Sequence, residues 1–209
     1  MQHSGPGQLL AILRPLVRDD RVLDAIAAVP RDRFVPEEDR PRAWENEPLP
    51  IGRGQTISQP LVVARMAELL DLRPEDGVLD IGTGSGYHAA VLARLSRHVW
   101  TVERHTDLSE QAAANLAAAG IDNVTLVVGD GSRGHPPEAP YDAINVAAAA
   151  WRTVPPALED QLALGGRLVV PVAHRRQRLV LVRRQPDGVL RHRLEPVRFV
   201  PLVQRDDPD

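Results

Sequence analysis

At 209 residues, with 43% hydrophobic and 25% charged residues, the chain is long enough for one domain with a sizeable buried core and has the balance of an ordinary globular protein. Its 25 basic residues, all of them arginine, stand against 28 acids, and a net charge of -3 excludes a basic footprint for nucleic acid. With no cysteine there is no disulfide framework, no thiolate chemistry and no zinc site of the usual kind, and no metal site is expected.

Residues near Gln8 to Arg18 and Asp20 to Val29 space Leu, Ile, Val and Ala as helices do, and Pro30 stops the second, so an N-terminal helical extension is expected. From Arg31 to Gln55 the chain is rich in Pro, Glu and Gly without periodicity and reads as an irregular surface loop. A helix over 60–70 follows, with Leu61, Ala64, Met66, Leu69 and Leu70 toward the core. Beyond it strands alternate with helices: strand 78–81, helix 87–96, strand 98–102, helix 107–119, strand 124–128, strand 141–146, helix 154–163 and strand 166–171. This alternation predicts a doubly wound α/β fold, a mostly parallel sheet covered on both faces. Strands 178–184 and 189–195 flank the turn residues Arg184-Gln185-Pro186-Asp187-Gly188 and complete seven strands with an antiparallel hairpin. We expect a single domain over 1–209, with 1–59 carrying the helices and a substrate loop and 60–209 the α/β core. The N-terminus has no basic region leading into a long apolar run, and no stretch approaches about eighteen uncharged apolar residues, so a cytoplasmic protein is expected.

The segment from Val78 to Tyr87 is the most informative. An apolar strand ends on Asp80-Ile81 and turns through Gly82-Thr83-Gly84-Ser85-Gly86 into a helix, placing backbone N–H groups and a helix N-terminus at one spot. Tyr87 stands where a dinucleotide fingerprint needs its last glycine, which disfavours nicotinamide. Asp80 points instead to the strand end and glycine loop of S-adenosylmethionine-dependent methyltransferases, where a carboxylate suits a cationic cofactor, although such a loop can also be a plain tight turn. Glu103 closes the next strand about twenty residues on, placed to accept from both ribose hydroxyls of an adenosine. Asp130, between Gly129 and Gly131, closes the third, where it can accept from an adenine amino group. Taken singly, each acid is equally readable as a helix N-cap or a solvated strand end; their recurrence at successive strand ends favours an adenosine pocket.

Thr56 and Ser58 lie two residues apart before a helix opened by Pro60, and with the N–H groups of that helix start they can hold a carboxylate. The alternative is that Ser58 merely caps the helix.

Residues 49–60 (LPIGRGQTISQP) resemble the signature of protein-L-isoaspartate O-methyltransferases, which methylate isomerised aspartyl residues for repair. The likeness continues through 29–37 (VPRDRFVPE), 80–87 (DIGTGSGY), 101–104 (TVER), 129–131 (GDG), 165–171 (GGRLVVP) and 196–202 (PVRFVPL), nearly the whole chain in the family's order. It implies S-adenosylmethionine held by Asp80, Gly82, Thr83, Gly84, Ser85, Gly86, Glu103, Arg104, Asp130 and Gly131. It implies a substrate pocket formed by Thr56, Ile57, Ser58, Val200, Pro201 and Leu202, with Ser58 and Thr56 orienting the acceptor. The partners would be isoaspartyl proteins and peptides, with no nucleic acid or membrane, and the protein a monomer. An isoaspartyl α-carboxylate is ionised at neutral pH, its reference pKa lying about three units below 7, so no strong base is needed. Three positions depart from the family pattern: Ala147 replaces a hydroxyl in a slightly longer loop, His88 stands where Gln is expected, and Asn145 sits in a buried strand where it needs hydrogen-bond partners. The basic run from His174 to Arg178 reads as a solvated hairpin end. Two rival functions stay open: methylation of a specific aspartate in a dedicated peptide, and a non-catalytic adenosine-binding module.

Overall fold

The computed structural model describes residues 5–203. Helices α1 (Pro6–Leu13) and α2 (Asp20–Ala28) open it, and Asp19 caps α2 by accepting from the Arg21 N–H at 2.9 Å. The stretch expected to be an irregular loop is more ordered than that. It contains two 3-10 turns, Arg31–Phe34 and Glu37–Arg42, and then an antiparallel hairpin of β1 (Leu49–Gly52) and β2 (Gln55–Ile57). Strands of four and three residues are too short for their alternation to register, and the turn between them depends on positive φ at Gly52, Arg53 and Gly54.

Then come α3 (Pro60–Leu70), β3 (Gly77–Ile81), α4 (Tyr87–Ala93), β4 (His98–Glu103), α5 (Thr106–Ala118), β5 (Val124–Val128), β6 (Tyr141–Val146), β7 (Ala150–Trp151), α6 (Pro156–Asp160), β8 (Leu162–Ala173), β9 (Gln177–Gln185) and β10 (Gly188–Pro196). The main sheet runs β10-β9-β8-β6-β3-β4-β5, the seven expected strands, and the short β7 pairs beside β8 as an eighth. Strands β3, β4, β5, β6 and β8 are parallel, whereas β8, β9 and β10 form an antiparallel edge. The helix expected over 154–163 shrinks to α6, because Leu162 already pairs with Tyr141 as the start of a longer β8. Its face of the sheet is thus less covered than expected.

Period-two alternation divides the core. Val78, Val99, Ala143, Val169, Leu179 and Leu181 face the N-terminal helices, α3 and α4, while Leu79, Ile81, Ile144, Leu168, Val170 and Val182 face α6. Every residue of α4 is buried, and α2, α3 and α5 all pack against it. Met66, Ala64 and Leu70 of α3 are buried as expected, with Leu61 and Leu69 half-buried at the rim of that core. The chain leaves β3 toward β4 and β5 in one direction and returns to β6 in the other, so the sheet has its switch point at the carboxyl ends of β3 and β6. In open α/β sheets that is where ligands bind.

Candidate active site

A cleft of about 860 Å³, counting its open mouth, lies at this switch point. Its wall brings together Thr56, Ile57 and Ser58, Gly82 to Ser85, Glu103, Arg104, Gly131 and Val200 to Leu202, thirteen of the sixteen residues singled out from the sequence. Asp80, Gly86 and Asp130 are not part of that wall.

The glycine loop is shaped by sterics as much as by charge. Gly82, Gly84 and Gly86 all have positive φ, and a Cβ on Gly84 would lie 3.1 Å from Ile51 Cδ1 of β1. The β1–β2 hairpin therefore roofs the loop. At Gly131 a Cβ would lie 2.5 Å from Ile81 Cγ2, so only glycine fits beside the end of β3 without displacing it. Gly86 serves packing instead: it opens α4, and a Cβ there would crowd Ala112 and Leu116 of α5 at 3.3 Å.

Beneath the loop lies a polar row that comes from strand register. Asp80 pairs in register with Thr101 on one side and Asn145 on the other, and all three are fully buried on the α4 face. Thr101 Oγ1 donates to Asp80 Oδ2 at 2.8 Å and Asn145 Nδ2 donates to Asp80 Oδ1 at 2.7 Å. Because Thr101 donates its only hydroxyl proton to Asp80, its 2.7 Å contact with Thr83 Oγ1 must have Thr83 as donor. Asn145 directs its second N–H to His88 Nδ1 at 3.2 Å, which leaves the imidazole proton on Nε2. Burial raises the Asp80 pKa to about 6 against these two hydrogen bonds, with nearby Glu103 adding to the rise. Burial alone pushes His88 down to about 3, so its ring is neutral at physiological pH. Asp80 thus lies beneath the cleft and is linked through Thr101 to Thr83 and through Asn145 to His88, both of which line it. The partners that Asn145 needs are these two residues.

Glu103 is buried with one oxygen on each of two backbone amides, Gly84 N–H at 2.9 Å and His105 N–H at 3.1 Å, so its carboxylate is fixed at the edge of the glycine loop. Asp130 Oδ1 accepts from the Ser132 amide at 3.0 Å and hydroxyl at 2.7 Å, capping the 3-10 turn Gly131–Arg133, the bland alternative for such an acid.

At the other end of the cleft the N-cap of α3 is Gln59, without a side-chain cap bond, and the Leu61 N–H is taken by Asn46 Oδ1 at 3.0 Å. Two expectations are corrected by this. Ser58 is not the cap, and the first amide of the helix start is not free to hold a carboxylate, because Pro60 has no N–H and Asn46 occupies the next. A second groove adjoins the main cleft, and the two share Thr56, Ser58, Ala147 and Val200 in their walls.

The C-terminal segment closes the wall by pairing: Ala149 N–H donates to Val200 O at 2.7 Å and Leu202 N–H donates to Ala149 O at 2.8 Å. Gln177 anchors it, donating from Nε2 to Phe199 O at 3.0 Å and accepting from Phe199 N–H at 2.6 Å. His174, Arg175 and Arg176 are exposed in the β8–β9 turn, as expected of a hairpin end. Sequence reasoning passed over Asn46, Gln177 and Arg31, whose guanidinium donates to Ser58 O at 3.0 Å. None stands in a periodic pattern or a glycine turn.

With this geometry, a sequence profile described as "Protein-L-isoaspartate(D-aspartate) O-methyltransferase" matches residues 8–207. The chain belongs to that family. It is 51% identical over 195 residues to the protein-L-isoaspartate O-methyltransferase of Ignicoccus hospitalis, covering 91% of this chain and 92% of that one. To the Aeromonas hydrophila enzyme of the same name it is 54% identical over 190 residues, with 91% and 92% covered. Among solved structures, one titled protein-L-isoaspartate O-methyltransferase superposes with a TM-score of 0.84 at 31% identity, over 94% of this chain and 65% of the longer solved one. A Plasmodium falciparum structure in complex with S-adenosyl-L-homocysteine, described as a protein-L-isoaspartate O-methyltransferase, gives 0.83 at 28% identity over 96% and 99%. The expected methyltransferase fold and family are thus both borne out. Among the described residues no helix is long and apolar enough to cross a membrane, and no group of acids and histidines is arranged to hold a metal ion.

Proposed function

We propose that this chain transfers a methyl group from S-adenosylmethionine to the free α-carboxylate of L-isoaspartyl residues in proteins and peptides, the first step of their return to aspartate. The observation that carries this reading is the meeting of two clefts at Ser58 and Thr56, one running to the glycine loop and Glu103, the other open along Pro196 to Val200.

The residues present fit the cofactor. Gly84 and Gly131 let the chain pass close against Ile51 and Ile81 at the cleft wall, and His88 Nε2, on a residue of that wall, is a buried N–H donor with no protein partner. Glu103 would hold the ribose hydroxyls, Gly131 would admit the adenine beside Asp130, and Thr83 with Ser85 would line the methionyl end. When bound, S-adenosylmethionine supplies an electrophilic methyl group on a sulfonium.

The chain's own task is to present an ionised carboxylate in the right direction. Ser58 and Thr56 donate hydroxyl hydrogen bonds to it, and the segment Val200–Leu202 keeps water from it. No side chain has to remove a proton, in keeping with a site whose only histidine in the buried polar row is neutral and tied to Asn145. The ester can expel methoxide where the carboxylate cannot expel oxide, so the neighbouring backbone nitrogen attacks its carbonyl, methanol leaves with the nitrogen's proton, and hydrolysis of the resulting succinimide returns aspartate in part and isoaspartate, which re-enters the cycle, for the rest. The second groove would take the peptide chain flanking the acceptor. We take the protein to act as a monomer and its compartment to be the cytoplasm.

Ser58→Asp tests the acceptor assignment. Aspartate is close to serine in size and its charge is favoured near a helix N-terminus, but it repels an incoming carboxylate across a poorly hydrated cleft. The variant is expected to melt near wild type and bind cofactor normally while losing most turnover on an isoaspartyl peptide. Full activity would move the acceptor elsewhere. A matched aspartyl peptide in the same assay separates repair from methylation of a dedicated aspartate.

A further inference from the structure

Arg31 is fully buried in the 3-10 turn after α2. Its Nη1 donates to Ala43 O, its Nη2 donates to Glu47 O at 2.9 Å and Ser58 O at 3.0 Å, and its Nε has no partner. The guanidinium lies 5.5 Å from the centre of the Tyr87 ring. Among the described residues it makes no ion pair with a carboxylate, whereas the other buried arginine, Arg167, meets Asp76 at 2.6 Å. Burial lowers its pKa only to about 10, so it carries a full charge at neutral pH. An isolated buried cation is costly, and native proteins ordinarily pair one.

The position of this charge suits a ligand. Ser58 and Tyr87 both line the main cleft, and Arg31 stands directly behind both. We propose that Arg31 is the standing counter-charge of the acceptor site, a buried guanidinium that makes the cleft at Ser58 prefer a carboxylate to its neutral methyl ester. The inference rests on the reading that the acceptor carboxylate lies at Ser58. Methyl transfer turns an anion into a neutral ester, so the same charge that holds the substrate ceases to hold the product. Arg31 acts through the wall and is a positioning residue. A charge behind one layer of atoms in a medium of intermediate dielectric is expected to favour the acid by about ten-fold or more.

A purely structural Arg31 would tie three carbonyls together and weaken every ligand alike when replaced. The decisive comparison is therefore equilibrium binding, by calorimetry with S-adenosylhomocysteine present, of an isoaspartyl peptide and its isoasparaginyl amide, which has the same shape without the charge. Wild type is expected to prefer the acid by about ten-fold or more, and to keep that preference in about 1 M salt, because buried charges are little screened. Arg31→Gln, whose amide still reaches carbonyls, should shrink the preference to about three-fold or less, and Arg31→Lys should restore most of it. Equal weakening of both peptides in Arg31→Gln, an unchanged preference there, or its loss in Arg31→Lys overturns the inference. Should Arg31→Gln fail to fold, the wild-type ratio still decides: no preference, or one that vanishes at high salt, assigns any attraction to exposed arginines such as Arg198. Ser58→Asp in the same titration separates the two readings. If it loses acid binding while Arg31→Gln keeps its preference, only the role of Arg31 falls; if it binds the acid normally, the carboxylate lies elsewhere and both fall.

Discussion

The two ends of the parallel sheet solve opposite problems. At the amino ends of β3, β6 and β8, Arg167 donates to the carbonyls of Leu70, Asp71 and Asp142 and to Asp76, while Asp142 and Asp76 accept from the amides of Gly77 and Arg73. At the carboxyl ends, among the described residues, four buried side-chain atoms lack a partner: those on Tyr87 and His88 belong to residues of the cleft wall, and those on Arg31 and Asn145 to the residues packed against these two. A polar group left unmatched in the interior costs stability, so a fold tolerates such a concentration where a ligand completes the set. One end holds the sheet together; the other is kept incomplete for what it binds.

Breaking the satisfied end should have the largest effect on stability. Arg167→Met leaves Asp76 buried without its cation and should cost about 3–5 kcal/mol in denaturant unfolding, while the folded fraction binds S-adenosylhomocysteine with wild-type affinity. Weakened binding at unchanged stability would erase the contrast between the ends.

Next in size is Asp80, whose effect has the opposite sign. Its folded pKa of about 6 lies above the 3.8 of an exposed aspartate, so the native state binds the extra proton, and stability falls as pH rises from about 4 to about 6, by about 3 kcal/mol. Asp80→Asn cannot ionise. The difference in unfolding free energy between wild type and Asp80→Asn should therefore move against wild type across that window and level off above it. A constant difference would show that Asp80 titrates normally.

Glu103→Ala should separate binding from folding. Losing charge-assisted hydrogen bonds to a ribose is worth about 1.5–3 kcal/mol, so the S-adenosylmethionine dissociation constant should rise about ten-fold or more in calorimetry. An unchanged constant in a folded variant removes the ribose assignment. The smallest effect belongs to a charge pair at neither end's interior, Arg53 and Asp107, 2.8 Å apart and both exposed, which ties the β1–β2 hairpin to α5. Arg53→Ala should lower the melting temperature by less than about 2 °C. A larger drop would mean that this exposed contact governs the roof of the loop.

The legibility of the sequence follows the range of the interactions. Helix α3 and strands β5 and β6 lie at the expected boundaries because their apolar periodicity is local. The glycine loop was legible because positive φ admits few residue types. What stayed hidden depends on register and distance. Asp80, Thr101 and Asn145 are 21 and 65 residues from one another along the hydrogen bonds that join them, and only the strand pairing aligns them on one face. Asp80 could be assigned to the site from its strand end, yet whether its side chain faces the ligand or lies beneath the loop is set by the pleat. Arg31 was invisible for a related reason: its partners at 43, 47 and 58 are backbone carbonyls, which carry no residue signature.

The tail that closes the cleft is held in an unusual way. Gln177 offers Phe199 one donor and one acceptor, the same pair of groups that a neighbouring strand would present from its main chain, while its own carbonyl accepts from the Val197 N–H at 3.2 Å. A side-chain amide thus imitates one rung of a β-ladder. A true edge strand leaves a sheet by unzipping rung after rung; here a rotation about the side-chain bonds of one glutamine releases the Phe199 rung while the pairing of β8, β9 and β10 stays whole. The wall over the acceptor is thus joined to the sheet by a side-chain rung at Phe199 next to the main-chain pairing of Ala149 with Val200 and Leu202.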